Sequence, residues 1–182
     1  SLRIVPRLLA GLLTAALFAT ALPAQAGKTL DAIRQKGQLA CGVSTGVIGF
    51  SALDSQGRWQ GLDVDVCKAI AAAVLGDASK VRWVPLNSQQ RFTALQSGEV
   101  DLLSRNTTWS LTRDAGQGLH FAAITYYDGQ GFLVPKKAKI SSAKQLKGAE
   151  ICVQSGTTSE KNLADFFRAQ GTKVKPVVFD RF

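Results

Sequence analysis

The chain has 182 residues, with 22 Lys and Arg against 13 Asp and Glu, a formal net charge of +9 and 46% hydrophobic residues. Its basic residues are scattered, with only Lys136, Lys137 and Lys139 grouped, which reads as a solvated surface and excludes a nucleic-acid footprint. One His and three Cys without a C-x-x-C pair argue against a zinc or redox site, so neither metal nor cofactor is expected.

Residues 1–26 carry Arg3 and Arg7, then an uncharged Leu- and Ala-rich run from Leu8 to Leu22, then Ala24-Gln25-Ala26. This is the pattern of a cleavable secretory signal peptide, and the run is shorter than the roughly 20 residues of a membrane span. The mature chain would start at Gly27 with 156 residues. Two arginines and no acids leave with the signal, so its charge is +7. A soluble protein exported to a bacterial periplasm is expected, with one domain core, or one lobe and a fraction of another.

Thr29 is expected to cap a helix running to Lys36 and ended by Gly37. Gln38 to Val43 reads as a strand with Leu39, Cys41 and Val43 on one face. Residues 44–61 read as loop with a turn at Asp54-Ser55-Gln56-Gly57. Asp63 to Leu75 reads as a helix with Val66, Ile70, Ala73 and Val74 as its buried stripe. Cys67 shares a face with Ile70 and Val74, towards a strand carrying Cys41, and export favours a disulfide between these two cysteines. Closing that loop is worth about 3–4 kcal/mol. Cys152 is left over.

Val81 to Val84 and Val100 to Leu103 read as strands flanking a helix that Asn87 and Gln90 open as a capping box, with Gly98 closing it. The order β-α-β-α-β implies a parallel sheet, whose ligands bind beyond the carboxyl ends of the strands. Further strands are expected within residues 119–134, at Ile151 to Val153 and at Lys175 to Phe179. Helices are expected at Ser142 to Lys147 and from Gly156 to Phe167, the latter with Thr157 and Glu160 as a capping box.

The run Ser104 to Arg113 follows a strand and offers hydroxyls, an amide, an indole and two guanidinium groups, with no carboxylate before Asp114. Donors without acids at a strand end suit an anionic group on a small molecule, with Arg113 gripping a carboxylate through two hydrogen bonds and Thr108 and Asn106 completing its shell. Gly156-Thr157-Thr158 exposes backbone N–H groups at a helix start, a second anion-binding arrangement. A rival pattern is Gly42-Val43-Ser44-Thr45-Gly46, the G-x-S-x-G of a hydrolase nucleophile elbow, with Asp101 and His120 in triad order. The elbow has to enter a helix directly, whereas Val47 to Phe50 reads as loop.

Gly61-Leu62-Asp63-Val64-Asp65-Val66, continuing through Ile70, Ala71 and Val74, resembles the signature of family 3 bacterial extracellular solute-binding proteins. Ser104 to Arg113, Tyr126-Tyr127-Asp128-Gly129 and Gly156-Thr157-Thr158 resemble most closely the general L-amino-acid receptors of ABC transporters. The resemblance implies an α/β, type II periplasmic-binding-protein-like fold of two lobes, the second incomplete in this chain. It implies residues 27–131 as first lobe and 132–182 as hinge strand and partial second lobe. It implies a binding protein, not an enzyme, that clamps an L-amino acid between the lobes and, as a monomer, delivers it to a membrane permease. Arg113 would hold the α-carboxylate, helped by Thr108, Thr157 and Thr158, and Asn106 would face the α-amino group. Ser44 and Phe50 would line the first-lobe wall. Where many relatives carry a stacking aromatic this chain has Val47, so either Trp109 would cover the ligand instead or the pocket would be less selective. The acid that holds the ammonium in this family would lie beyond residue 182. Two enzyme readings stand as alternatives, a cyclohexadienyl-dehydratase-like enzyme on the same fold and a serine hydrolase using Ser44. A sensor domain of a membrane kinase is a third.

Overall fold

The computed structural model describes residues 27–180, so the signal-peptide reading lies outside the described residues. Helix α1 (Lys28–Lys36) leads into strand β1 (Leu39–Val43), and Gly37 makes the turn between them in a left-handed conformation. The N-cap of α1 is Gly27, without a side-chain bond, so the expected Thr29 cap is corrected: that hydroxyl falls inside the first turn. Strands β4 (Val81–Pro85) and β5 (Leu102–Leu103) flank β1 on either side, both parallel to it. The expected parallel sheet is present, although β5 spans two residues where four were expected. The Asp101 carboxylate accepts from the Ala40 N–H at 2.9 Å, just ahead of β5.

All five residues of β1 are buried, because helices cover both of its faces. Leu39, Cys41 and Val43 meet α1 and α2 (Leu62–Leu75) in a core with Ile33, Cys67, Ala71 and Val81. On the other face Gly42 packs on Leu86, Val100 and Leu103, beside Ala94 of α3 (Gln90–Gln96). The Cys41–Cys67 disulfide forms across the first core, with Cα atoms 6.3 Å apart, as expected. The buried stripe of α2 is Asp63, Val64, Cys67 and Ala71, with Ile70 and Val74 at its edge, so the expected stripe is rotated: Val66 is half-buried and Ala73 exposed. The Asn87–Gln90 box closes reciprocally ahead of α3, at 3.3 and 2.9 Å.

Residues 44–61 are not all loop. A small hairpin, β2 (Ala52–Leu53) with β3 (Trp59–Gln60), brackets the expected turn, where the Asp54 carboxylate accepts from the N–H groups of Gln56 and Arg58. Beyond α4 (Leu111–Gly116), residues 119–134 carry no strand, against expectation. A strand exists only through a ladder partner, and the described residues give this segment none; Tyr127 and Leu133 are fully or nearly fully exposed.

Residues 136–138 and Ala143–Leu146 form 3₁₀ turns, the second in place of the expected helix and capped by Ser142 and Gln145. Then β6 (Glu150–Gln154), α5 (Thr158–Ala169) and β7 (Lys175–Phe179) build a parallel pair around a core of Leu146, Leu163 and Phe167. An open apolar groove of about 600 Å³ runs along α5 and β7, lined by residues such as Leu163, Ala164, Phe167, Val174 and Val178.

Candidate anion-binding cleft

Because β1 and β5 run parallel, Ser44 and the loop from Ser104 leave the sheet at one edge; the Ser104 N–H donates to the Gly42 carbonyl at 3.0 Å. The loop turns into α4 at Ser110, whose hydroxyl accepts from the Arg113 N–H. That start aims Arg113 back into the fold, and the residue is 8% exposed. Its Nη1 donates to the Thr108 carbonyl at 2.9 Å and its Nη2 to the Gly156 carbonyl at 3.5 Å. No carboxylate pairs with it among the described residues.

Two further guanidiniums share the site. Arg91, fully buried in the first turn of α3, donates from Nη1 to the Asn106 carbonyl and the Thr107 hydroxyl, each at 3.2 Å, and from Nη2 to the Gly156 carbonyl at 3.1 Å. The Arg91 and Arg113 guanidiniums lie over the Phe92 ring, 4.7 and 5.2 Å from its centroid. Arg105 reaches the Leu86 carbonyl, the Ser88 hydroxyl at 3.1 Å and the Asn106 side-chain oxygen at 2.8 Å. Burial, then the neighbouring charges of Arg105 and Arg113, holds Arg91 down to about 9, still cationic at neutral pH. Burial lowers Arg105 to about 10 against the pull of Asp63, and burial also lowers Arg113. The Nε atoms of Arg91 and Arg105 and the Ser104 hydroxyl are buried without partners.

Asp63 is also buried. Loss of solvent raises its carboxyl above the usual range, opposed by Arg105 and by a hydrogen bond from Ser51. Ser51 in turn meets the Ser44 hydroxyl at 2.6 Å.

Opposite the arginines stands the turn Ser155–Thr158. Thr158 and Thr108 hydroxyls meet at 3.0 Å, and Gln89 Nε2 donates to Ser155 Oγ at 2.7 Å. The Thr157 hydroxyl is doubly engaged, donating to the Gln154 carbonyl at 2.7 Å and accepting from the Glu160 N–H at 3.1 Å. Glu160 does not complete the expected box; its carboxylate accepts from the Gly156 N–H instead.

The structure therefore gathers Arg113, Thr108, Asn106, Thr157 and Thr158 around one cleft. Phe50 meets Tyr126 edge-on at 5.1 Å, and no hydrogen bond links Ser44 or Phe50 to the arginines among the described residues. Trp109 stacks on Phe121 at 5.3 Å and gives its indole N–H to Asp114. Sequence reasoning missed Arg91 and gave Arg105 no role. The available signal was Arg91 on the same face of α3 as Ala94 and Leu95, where a surface arginine would not sit. The hydrolase pattern fails on geometry: Ser44 is buried against Ser51, Asp101 holds the Ala40 N–H, His120 is exposed, and a hairpin follows instead of a helix.

Comparison with known proteins bears on the family and the fold. The chain is 57% identical over 165 residues to a putative amino-acid ABC transporter-binding protein, YhdW, of Escherichia coli O157:H7, covering 91% of this chain and 48% of that one. It is 52% identical over 174 residues to the general L-amino acid-binding periplasmic protein AapJ of Rhizobium johnstonii, covering 96% and 51%. A solved ABC transporter / periplasmic binding protein from Brucella ovis with glutathione bound superposes with a TM-score of 0.81 at 55% identity, covering 86% of this chain and 49% of that one. The chain spans about half the length of the curated relatives it matches. Its fold is accordingly the two-lobed type II periplasmic-binding fold with an incomplete second lobe. The family model of bacterial extracellular solute-binding proteins, family 3, matches residues 39–176, and the chain belongs to that family.

Proposed function

We propose that the full-length protein is the periplasmic receptor of an amino-acid ABC transporter, a binding protein and not a catalyst. Residues 27–131 would form its first lobe and 132–182 the hinge segment, which is not a strand, and part of the second. An L-amino acid lies between them, the lobes close over it by hinge rotation, and the closed form, a monomer, delivers it to the membrane permease. The signal peptide at 1–26 carries it to the periplasm.

The observation that carries this reading is the buried Arg113 guanidinium, held at the cleft by the Thr108 and Gly156 carbonyls with no carboxylate paired to it among the described residues. Two of its five N–H donors are engaged there, which leaves enough for a paired grip on the ligand α-carboxylate. Thr108 and Thr158 add hydroxyls, Thr157 the N-terminus of α5, and Asn106 a polar wall; Ser44 and Phe50 line the first-lobe side and Trp109 covers the ligand.

Calorimetry on the full-length protein tests the assignment. A micromolar ligand binds with about 8 kcal/mol. Removing one partner of a buried charge pair costs about 3–5 kcal/mol. Arg113→Ala therefore weakens amino-acid binding at least a hundredfold, and Arg113→Lys, which keeps the charge but loses the fork, recovers part of it. Wild-type affinity in a folded Arg113→Ala protein overturns the role.

A further inference from the structure

Phe92 stands in α3 next to the buried Arg91 and is itself half-buried. An apolar ring on a helix whose Ala94 and Leu95 pack into a core is expected to join that core. It does not. Among the described residues Phe92 belongs to none of the three hydrophobic clusters and to no aromatic pair. What its ring meets instead is charge. The guanidinium carbon of Arg91 lies 4.7 Å from the ring centroid and that of Arg113 5.2 Å, both within reach of a cation–π contact. Neither guanidinium has a carboxylate partner among the described residues.

A guanidinium donates hydrogen bonds in its plane and stacks through its faces. At the edge of Arg113 the Thr108 and Gly156 carbonyls take one N–H each, at 2.9 and 3.5 Å. The Phe92 ring takes none, so the remaining donors stay free for a ligand. A carboxylate in the ring's place would hold Arg113 as firmly but would occupy the fork. We infer that Phe92 is a positioning residue, its ring holding the Arg113 guanidinium in the orientation that grips the ligand α-carboxylate. The inference rests on the receptor reading above. Side-chain freedom that Arg113 would otherwise lose on binding is lost on folding instead. Every amino acid carries the α-carboxylate, so all ligands share the gain. A ring that touched ligand side chains would change affinities unequally.

The test uses the full-length protein with Phe92→Leu, Phe92→Tyr and a series carrying mono-, di- and trifluorophenylalanine at position 92. Each is titrated calorimetrically with L-glutamate, L-glutamine and L-alanine. Phe92→Leu should weaken binding of each ligand by about two- to tenfold, and Phe92→Tyr should keep most of the affinity. Fluorinated rings keep the packing and draw charge off the ring face, so affinity should fall with each added fluorine. That series decides the matter even where Phe92→Leu fails to fold. In the ligand-free wild type, nuclear Overhauser contacts should link the Phe92 ring to the Arg113 side chain. Affinity indifferent to fluorination, or losses that differ between ligands, overturn the role. A wild-type protein that binds no amino acid sinks the receptor reading, and the Overhauser contacts then decide the rest: their absence refutes the seating of Arg113 by Phe92.

Discussion

Reduction of the Cys41–Cys67 bridge should cost the full-length protein about 3.5 kcal/mol, because the cross-link closes a loop with a sequence separation of 26. The figure comes from the unfolded chain, which regains the freedom the bridge removes. Both sulfurs are wholly buried among Ile33, Leu39, Val43 and Ala71. Cys41→Ala combined with Cys67→Ala therefore adds a packing loss of about 1–2 kcal/mol to the same entropic term. Trp59 and Trp83 pack against this core and report its unfolding by fluorescence. Urea titrations of oxidised, reduced and double-alanine protein should give stabilities in that order, with a steeper denaturant slope once the bridge is gone, since the uncrosslinked chain exposes more surface. A reduced protein within about 1 kcal/mol of the oxidised one would refute the loop-closure argument. A double-alanine variant as stable as the reduced protein would refute the packing argument.

Asp63→Asn should stabilise the protein at neutral pH. Burial raises the Asp63 carboxyl, so its contribution is present below the unfolded carboxylate range and is lost as pH rises through the folded value; the variant's advantage should narrow towards acid and vanish there. A gap that widens on acidification, in denaturation followed from neutral to acid pH, contradicts the assignment. Gly61→Ala should destabilise by about 2–4 kcal/mol, since φ is +118° and a Cβ would strike the Phe50 carbonyl. A thermal midpoint equal to wild type would show that the Phe50 loop yields freely. In this variant the Asp63 N–H bond to the Phe50 carbonyl, 2.9 Å, should also lose hydrogen-exchange protection.

The sheet was legible because its determinants are local. Leu39, Cys41 and Val43 alternate in β1, glycines end α1 and α2, and the Cys67 position on α2 follows from helical spacing alone. The segment 119–134 was misread for the opposite reason. Its aromatic and β-branched residues carry strand propensity, but a strand is settled by a ladder partner elsewhere in the chain. The hairpin β2–β3 was missed because two residues per strand leave no periodicity to detect. At the cleft, Arg113 stood out by the acid-free loop before it. Arg91 was overlooked although it shares a face of α3 with Ala94 and Leu95, and its bond to the Gly156 carbonyl, 65 residues away, has no local signal in the sequence.

The charge of the cleft explains why closure and binding belong together in the proposed receptor. Three guanidiniums, Arg91, Arg105 and Arg113, are buried together; after burial, Arg105 and Arg113 depress Arg91 and Arg113 depresses Arg105, and the opposing carboxylate, Asp63, acts on Arg105. Most of the groups that hold them are peptide carbonyls: Leu86, Asn106, Thr108 and Gly156. A carbonyl offers a dipole where a carboxylate offers a full charge, so the arginines remain under-compensated and repel. A ligand carboxylate entering beside Arg113 relieves that repulsion most where solvent is most excluded, which is when the Ser155–Thr158 turn is seated. The Gly156 carbonyl, itself bonded to Arg91 and Arg113, ties the position of the turn to the position of the charges. In the proposed receptor, binding energy at the arginines would thereby favour the seated turn.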